Sequence, residues 1–238
     1  MISKKIHLIW IQDKLKIPKY IKNKVKHLED LNPKYKVTLW TKESIEELLK
    51  EYPKLFSRYQ NVECLEGMEN PIAIQSDIAR YVIMYVHGGL YMDMDFVCTR
   101  SFDELFSLDY DISIASSEID FLNYIYPFDK PKYCSCFMIF SKTHPIWKKV
   151  FTRIEHAKVK RDIDSALDYS LQESKYKINV LDSIQGHYDC DTKNPICKTP
   201  TESSWNIFRP LLKTINCNYE LIFGTGILAP LAYYIYHS

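Results

Sequence analysis

Apolar positions along the first hundred residues change period in a regular order. Ile6 to Ile11 is a short apolar run suited to a buried strand. Pro18 stands where a helix can start, and Ile21, Val25 and Leu28 recur at helical spacing until Asn32 and Pro33 end the pattern. Tyr35 to Trp40 alternates as a strand does, Thr41 offers a cap, and Ile45, Leu48 and Leu49 mark one face of the next helix. Strand, helix, strand, helix in that order favours a right-handed βαβ unit and a parallel sheet.

Pro71 opens the longest periodic segment, in which Ile74, Ile78, Tyr81, Val82 and Tyr85 share a helical face until Gly88 and Gly89 stop it. Leu90 to Met94 then reads as a strand. Ser101 with Glu104 has the spacing of a capping box, Ile112 to Ala115 and Phe137 to Phe140 are strand candidates, and Pro145 to Ile154 and Ile163 to Leu171 are expected to be helical. Asp182 to Ser204 lacks periodicity and is rich in Asp, Thr, Pro and Asn, which predicts a long loop of the kind that closes over a ligand. After Pro210, Ile227 to Tyr236 is expected as a last short helix broken at Pro230. There is no internal repeat, so one α/β domain over residues 1–238 is the expectation.

Composition narrows the function classes. With 46% hydrophobic and 26% charged residues, the chain has the make-up of an ordinary globular protein. Its 31 Lys and Arg against 30 Asp and Glu give no general attraction to nucleic acid. The basic stretch from Lys14 to Lys26 is a solvated helix face or, in a sharper reading, a peripheral contact with an acidic membrane. Met1 to Trp10 lacks the apolar length of a signal peptide or membrane span, so a cytoplasmic location is expected. Seven cysteines without a CxxC pair fit reduced thiols better than disulfides or a zinc site, although Cys134 and Cys136, or Cys190 and Cys197 near His187, offer zinc-type ligands.

Asp93 and Asp95 form an Asp-x-Asp pair able to share a divalent cation from one side of an extended backbone. The same spacing recurs at Asp109 and Asp111, Asp162 and Asp164, and Asp189 and Asp191, so spacing alone decides nothing. The first copy differs by context: it follows the apolar Leu90 to Met92 after a helix-stopping glycine pair, which places it at the carboxyl end of a buried strand, where open α/β sheets bind ligands. The preceding helix carries Asp77 and Arg80 three residues apart on one face. An exposed helical ion pair is the plain reading; carboxylate and guanidinium groups at a pocket, bonding to hydroxyls, are the functional one.

The run Pro71-Ile-Ala-Ile-Gln-Ser-Asp77-Ile-Ala-Arg80-Tyr81 followed by Gly88-Gly89-Leu-Tyr91-Met-Asp93-Met-Asp95 resembles the signature of the DXD-containing glycosyltransferase sugar-binding family. Fungal initiating mannosyltransferases and bacterial capsule enzymes are members, and clostridial glucosylating toxins are distant relatives. Lys5-Ile-His7-Leu-Ile9-Trp10 and Asn32-Pro33-x-Tyr35 with Trp40 resemble its first two strands. The resemblance implies a GT-A type, Rossmann-like mixed sheet flanked by helices, with a donor-binding core over about residues 1–145 and an acceptor and lid part after it. It further implies a UDP- or GDP-sugar donor, Mn²⁺ or Mg²⁺, a glycan or protein acceptor, and retention of anomeric configuration.

By the same resemblance Asp95 ligates the metal directly and Asp93 reaches the ribose or the metal through water. Asp77 and Arg80 hold sugar hydroxyls, Trp10 lies against the base, and Ile9 and Tyr91 complete the donor pocket. Ser204 and Trp205 in Glu202-Ser-Ser-Trp205 are counterparts of a late donor-site loop, with His187 or Asp189 as a candidate third ligand. Thr225-Gly226 departs from the family's Thr-Gly-Pro element at Ile227. Two rivals share the aspartates: a metal-dependent phosphoester hydrolase, which needs more ligands than Asp93 and Asp95, and a non-catalytic sugar-nucleotide-binding protein.

Overall fold

The computed structural model describes residues 2–12, 17–107, 110–116, 133–181 and 196–198. Strand β1 (Lys5–Trp10) pairs in parallel with β2 (Lys36–Thr41) on one side and β3 (Gly89–Met92) on the other. β6 (Tyr133–Phe140) runs antiparallel to both β3 and β5 (Ile112–Ser116), and β7 (Ile178–Val180) adds to β5 in parallel. The six-stranded order is β2-β1-β3-β6-β5-β7. The parallel βαβ start and the mixed sheet are as the sequence implies.

Strand periodicity divides the core. His7, Ile9, Tyr91, Met138 and Phe140 face the side covered by α2 (Lys42–Leu49), α3 (Pro53–Gln60), α4 (Pro71–His87) and α6 (Ile146–His156). Ile6, Leu8, Leu90, Met92, Phe137 and Ile139 face the side covered by α1 (Lys19–Leu31) and by Phe102 and Leu105 at the short α5 (Asp103–Phe106). α1 turns Ile21 and Leu28 inward and leaves Lys19, Lys22 and Lys26 exposed, as a solvated helix face does. Among the described residues no helix is long and apolar enough to cross a membrane.

The glycine pair is required by geometry. Gly88 and Gly89 both have positive φ, and a Cβ on Gly89 would stand 2.5 Å from the Lys5 carbonyl oxygen. Close passage of this turn under β1 lets a 17-residue helix reverse directly into a central strand.

Several expectations are corrected. Ser101 and Glu104 form no capping box: Ser101 Oγ accepts the N–H of Asp103, and Glu104 is held by Arg100 at 3.3 Å. Helix α3, with Pro53 at its start and only Leu55 and Tyr59 buried, carried too little periodic signal to be expected. The helix expected over Ile163 to Leu171 divides at Ser165 into α7 (Lys160–Asp164) and α8 (Ala166–Gln172). Within the expected loop from Asp182 to Ser204, Cys197–Lys198 forms a short strand, β8, against β4 (Val97–Cys98). Cys98 and Cys197 are joined as a disulfide, as are Cys134 and Cys136, against the expectation of reduced thiols, while Cys64 is free and exposed. The expected helix at Ile227 to Tyr236, the rest of the late loop, Lys14, Lys16 and Cys190 lie outside the described residues.

His7 is spent on structure. Trp40 Nε1 donates to its Nδ1 at 3.1 Å, and its Nε2 donates to the Gly88 carbonyl at 2.9 Å, so the buried ring must be neutral. Burial is the largest cause that lowers its pKa to about 4. The unfolded chain therefore binds a proton near pH 6.5 that the folded chain refuses until about pH 4. Stability present above pH 6.5 is lost across that window, by about 3 kcal/mol. Urea unfolding between pH 7 and 4 should show this loss and a shallower one in His7→Gln; equal slopes would refute it.

Candidate active site

Helix α4 is capped by Asn70, whose side chain accepts the Ala73 N–H at 3.3 Å, and Pro71 fills its first position. Its inner face carries more than apolar residues: Asp77 is 6% and Arg80 8% exposed. A guanidinium so placed needs partners, and both terminal nitrogens of Arg80 have them, although its Nε has none. Its Nη2 lies 2.9 Å from Asp77 Oδ1 and 3.4 Å from Asp93 Oδ1, and its Nη1 donates to the carbonyl and hydroxyl of Ser135 at 3.2 and 3.1 Å. Its plane also lies over the Tyr91 ring, 4.9 Å from the centroid.

Asp93 follows the last residue of β3. Its N–H donates to the Cys136 carbonyl at 2.8 Å, and Tyr91 donates its hydroxyl proton to the Asp93 carboxylate at 2.6 Å. Tyr91 points to the α4 side because it alternates with Leu90 and Met92, which face the other way. The pairing of β5 with β6 steps from Ile114 opposite Met138 to Ala115 opposite Cys134. That bulge frees Ser135 and Cys136 from β5 and turns them to Arg80 and Asp93.

These groups wall a cleft of about 270 Å³ at the carboxyl ends of β1 and β3. Ile9, Trp10, Arg80, Tyr91, Asp93 and Asp95 all line it, with Ser76 from α4 and Asn70 from its cap. Asp77 does not line it; this carboxylate lies behind Arg80. Burial raises the Asp77 carboxyl to about 7, against the pull of Arg80 and with the push of Asp164 and Asp93. Burial also raises Asp93, opposed by Arg80 and by the Tyr91 hydroxyl.

Three buried polar atoms of cleft-lining residues have no hydrogen-bond partner: Asp95 Oδ1, Trp10 Nε1 and Arg80 Nε. An unpartnered buried carboxylate oxygen is costly unless something else satisfies it. An acceptor-only oxygen beside a second carboxylate matches the ligand preference of a hard divalent cation, so the residues present fit one. Among the described residues no group of three or more His, Cys, Asp or Glu gathers, and His187, Asp189, Ser204 and Trp205 lie outside them. Of the other Asp-x-Asp copies, Asp162 caps a helix by accepting the N–H groups of Lys158 and Val159, while Asp109, Asp189 and Asp191 are outside the described residues.

Sequence reasoning missed Ser135 and Cys136, because the strand was expected to begin only at Phe137. It also missed Lys24, whose ammonium donates to the Met94 carbonyl.

Part of the chain is similar in sequence, and most of it in fold, to known proteins. The family described as "Glycosyltransferase sugar-binding region containing DXD motif" matches residues 18–111. An uncharacterized glycosyltransferase of Acanthamoeba polyphaga mimivirus is 30% identical over 130 residues, covering 52% of this chain and 48% of that protein. Inositol phosphoceramide mannosyltransferase 3 of Schizosaccharomyces pombe is 35% identical over 106 residues, covering 44% and 27%. The chain thus spans about half or less of the length of these relatives. In fold it is similar to the apo-form glycosyltransferase GlyE of Streptococcus pneumoniae, with a TM-score of 0.52 at 15% identity over 93% of this chain and 64% of the other. PaToxG glycosyltransferase gives 0.50 at 18% identity over 72% and 69%. The α4 and β3 walls of the cleft fall inside the segment that matches this family, whereas β1 with Ile9 and Trp10 precedes it, so residues 18–111 of this chain are similar to the glycosyltransferase sugar-binding regions that contain the DXD motif.

Proposed function

We propose that the protein transfers a hexose from a nucleoside-diphosphate sugar to an acceptor hydroxyl. The observation that carries the reading is the unpartnered, buried Asp95 oxygen beside Asp93 at the mouth of the cleft. A Mn²⁺ or Mg²⁺ ion held by Asp95, and by Asp93 directly or through water, would offset charge building on the leaving diphosphate. Trp10 offers a face and a free N–H to the base, Arg80 presents its guanidinium to sugar hydroxyls, and Asp77 orients Arg80 from behind. Retention of configuration follows from the family resemblance and belongs to the same reading.

The fungal relative's name points the sugar toward mannose and the acceptor toward a glycolipid headgroup, beside the glycan or protein hydroxyl that the sequence suggests. The two disulfides favour an oxidising compartment over the cytoplasm.

The test is a thermal-shift series with UDP- and GDP-sugars, each with Mn²⁺ and with chelator. A donor at a hundred times its Kd should add about 2.7 kcal/mol of stability, and that gain should vanish in chelator. Absence of any nucleotide-sugar effect, or phosphate release from simple esters without a sugar donor, would refute the reading.

A further inference from the structure

Of the four lysines on α1, one is placed unlike the others. Lys19, Lys22 and Lys26 are exposed, whereas Lys24 is half-buried and its ammonium donates to the carbonyl of Met94, the residue between Asp93 and Asp95. One turn further along the helix, His27 Nε2 donates to the Cys98 carbonyl at 2.8 Å. α1 therefore tethers the chain within the short turn that carries the aspartates and again just after it.

The rest of that turn is held at its ends. Asp93 N–H bonds to β6, and Phe96 is fully buried, with its N–H 3.4 Å from the Asp93 carbonyl. Between them the Asp95 carboxylate has an oxygen without any bond of its own, so its direction depends on the backbone that presents it. The Met94 carbonyl and the Asp95 N–H are opposite ends of one planar peptide unit. Anchoring the oxygen fixes the plane, and the plane sets the direction in which the Asp95 side chain leaves the chain. Lys24 does not line the cleft, and its one hydrogen bond to the site is made through this peptide.

We propose that Lys24 is a positioning residue of the metal-binding turn, holding the Met94–Asp95 peptide so that the unpartnered carboxylate oxygen faces the cation. A half-buried ammonium loses hydration, and that desolvation depresses its pKa against the favourable charge of Asp95. Arg80 serves Asp77 and Asp93, so the two cations divide the three acids of the site between them. The proposal rests on reading Asp95 as a metal ligand.

The test uses the full chain and Mn²⁺ alone, without donor, titrated by the loss of the free-ion paramagnetic resonance signal. Lys24→Met should raise the Mn²⁺ Kd roughly tenfold, while the metal-free protein keeps its circular dichroism spectrum. Lys24→Arg, which can donate to the same carbonyl, should recover most of the loss. Lys24→Met binding Mn²⁺ as tightly as the parent or more tightly would overturn the proposal, since the lysine would then only repel the ion. Lys24→Arg as weak as Lys24→Met would overturn it too. If Lys24→Met does not fold, Lys24→Gln is judged by the same criterion. Asp95→Asn separates the two readings. If it binds Mn²⁺ like the parent, the metal site and this proposal both fall; if it loses Mn²⁺ while Lys24→Met keeps it, only the role of Lys24 falls.

Discussion

Asp95→Asn should lower turnover of the nucleotide sugar by about 10³-fold or more and leave the metal-free protein as stable as the parent. The asymmetry follows from partners. Asp95 Oδ1 accepts no hydrogen bond, so an isosteric amide there breaks none at that atom and removes the charge of a half-buried carboxylate. Asp93 is the contrasting position: its carboxylate accepts from Tyr91 and lies beside Arg80, so Asp93→Asn should cost stability as well as activity. Melting temperatures in chelator check this, with Asp95→Asn within about 2 °C of the parent and Asp93→Asn clearly lower. An Asp95→Asn protein with near-parental turnover would remove the basis for the functional reading.

Arg80→Met should be the most destabilising single change in the site, costing about 3–5 kcal/mol in urea unfolding at pH 7.5. Met matches much of the volume, so the loss is electrostatic. Asp77 would keep its burial without the guanidinium that holds its pKa down, and Asp93 would lose the larger of the two influences that favour its charge. Asp77→Asn should cost less, because it removes a buried charge while Arg80 keeps Asp93 and Ser135. Arg80 forms cleft wall and Asp77 stands behind it, so both variants should lose turnover more than affinity for the bare nucleoside diphosphate. A loss below about 1 kcal/mol in Arg80→Met would mean that solvent already screens the cluster, as in a surface pair.

Much of this arrangement was legible before any coordinates. The βαβ opening and helix α4, closed by Gly88 and Gly89, follow from periodic runs, and the strand expected over Leu90 to Met94 is present but stops at Met92, where the turn carrying Asp93 begins. Such runs report burial directly, which is why Asp77 and Arg80 could be placed on one face. Helix α3 and strand β7 escaped because each buries too few residues to impose a period. Ser135 and Cys136 escaped for another reason: a bulge abandons the alternation by which strands are recognised, and their roles come from main-chain groups that carry no sequence signal. Cysteine pairing was unreadable, because Cys98 and Cys197 are 99 positions apart in sequence and meet only through the β4–β8 contact.

The bulge on β6 also bears on how this protein comes into being. Both aspartates, Arg80 and Tyr91 have left the ribosome some forty residues before Ser135 and Cys136 follow them. A nascent chain ending near residue 111 would hold the whole matched motif yet lack the groups that receive the Arg80 guanidinium and the Asp93 amide. β1 begins before the matched segment and β6 lies beyond it, so the segment on its own is a sheet without two of its central strands. The cleft is therefore complete only once β6 has inserted between β3 and β5, and a fragment trimmed to the matched segment would carry the signature without β1, β6 and the groups they supply.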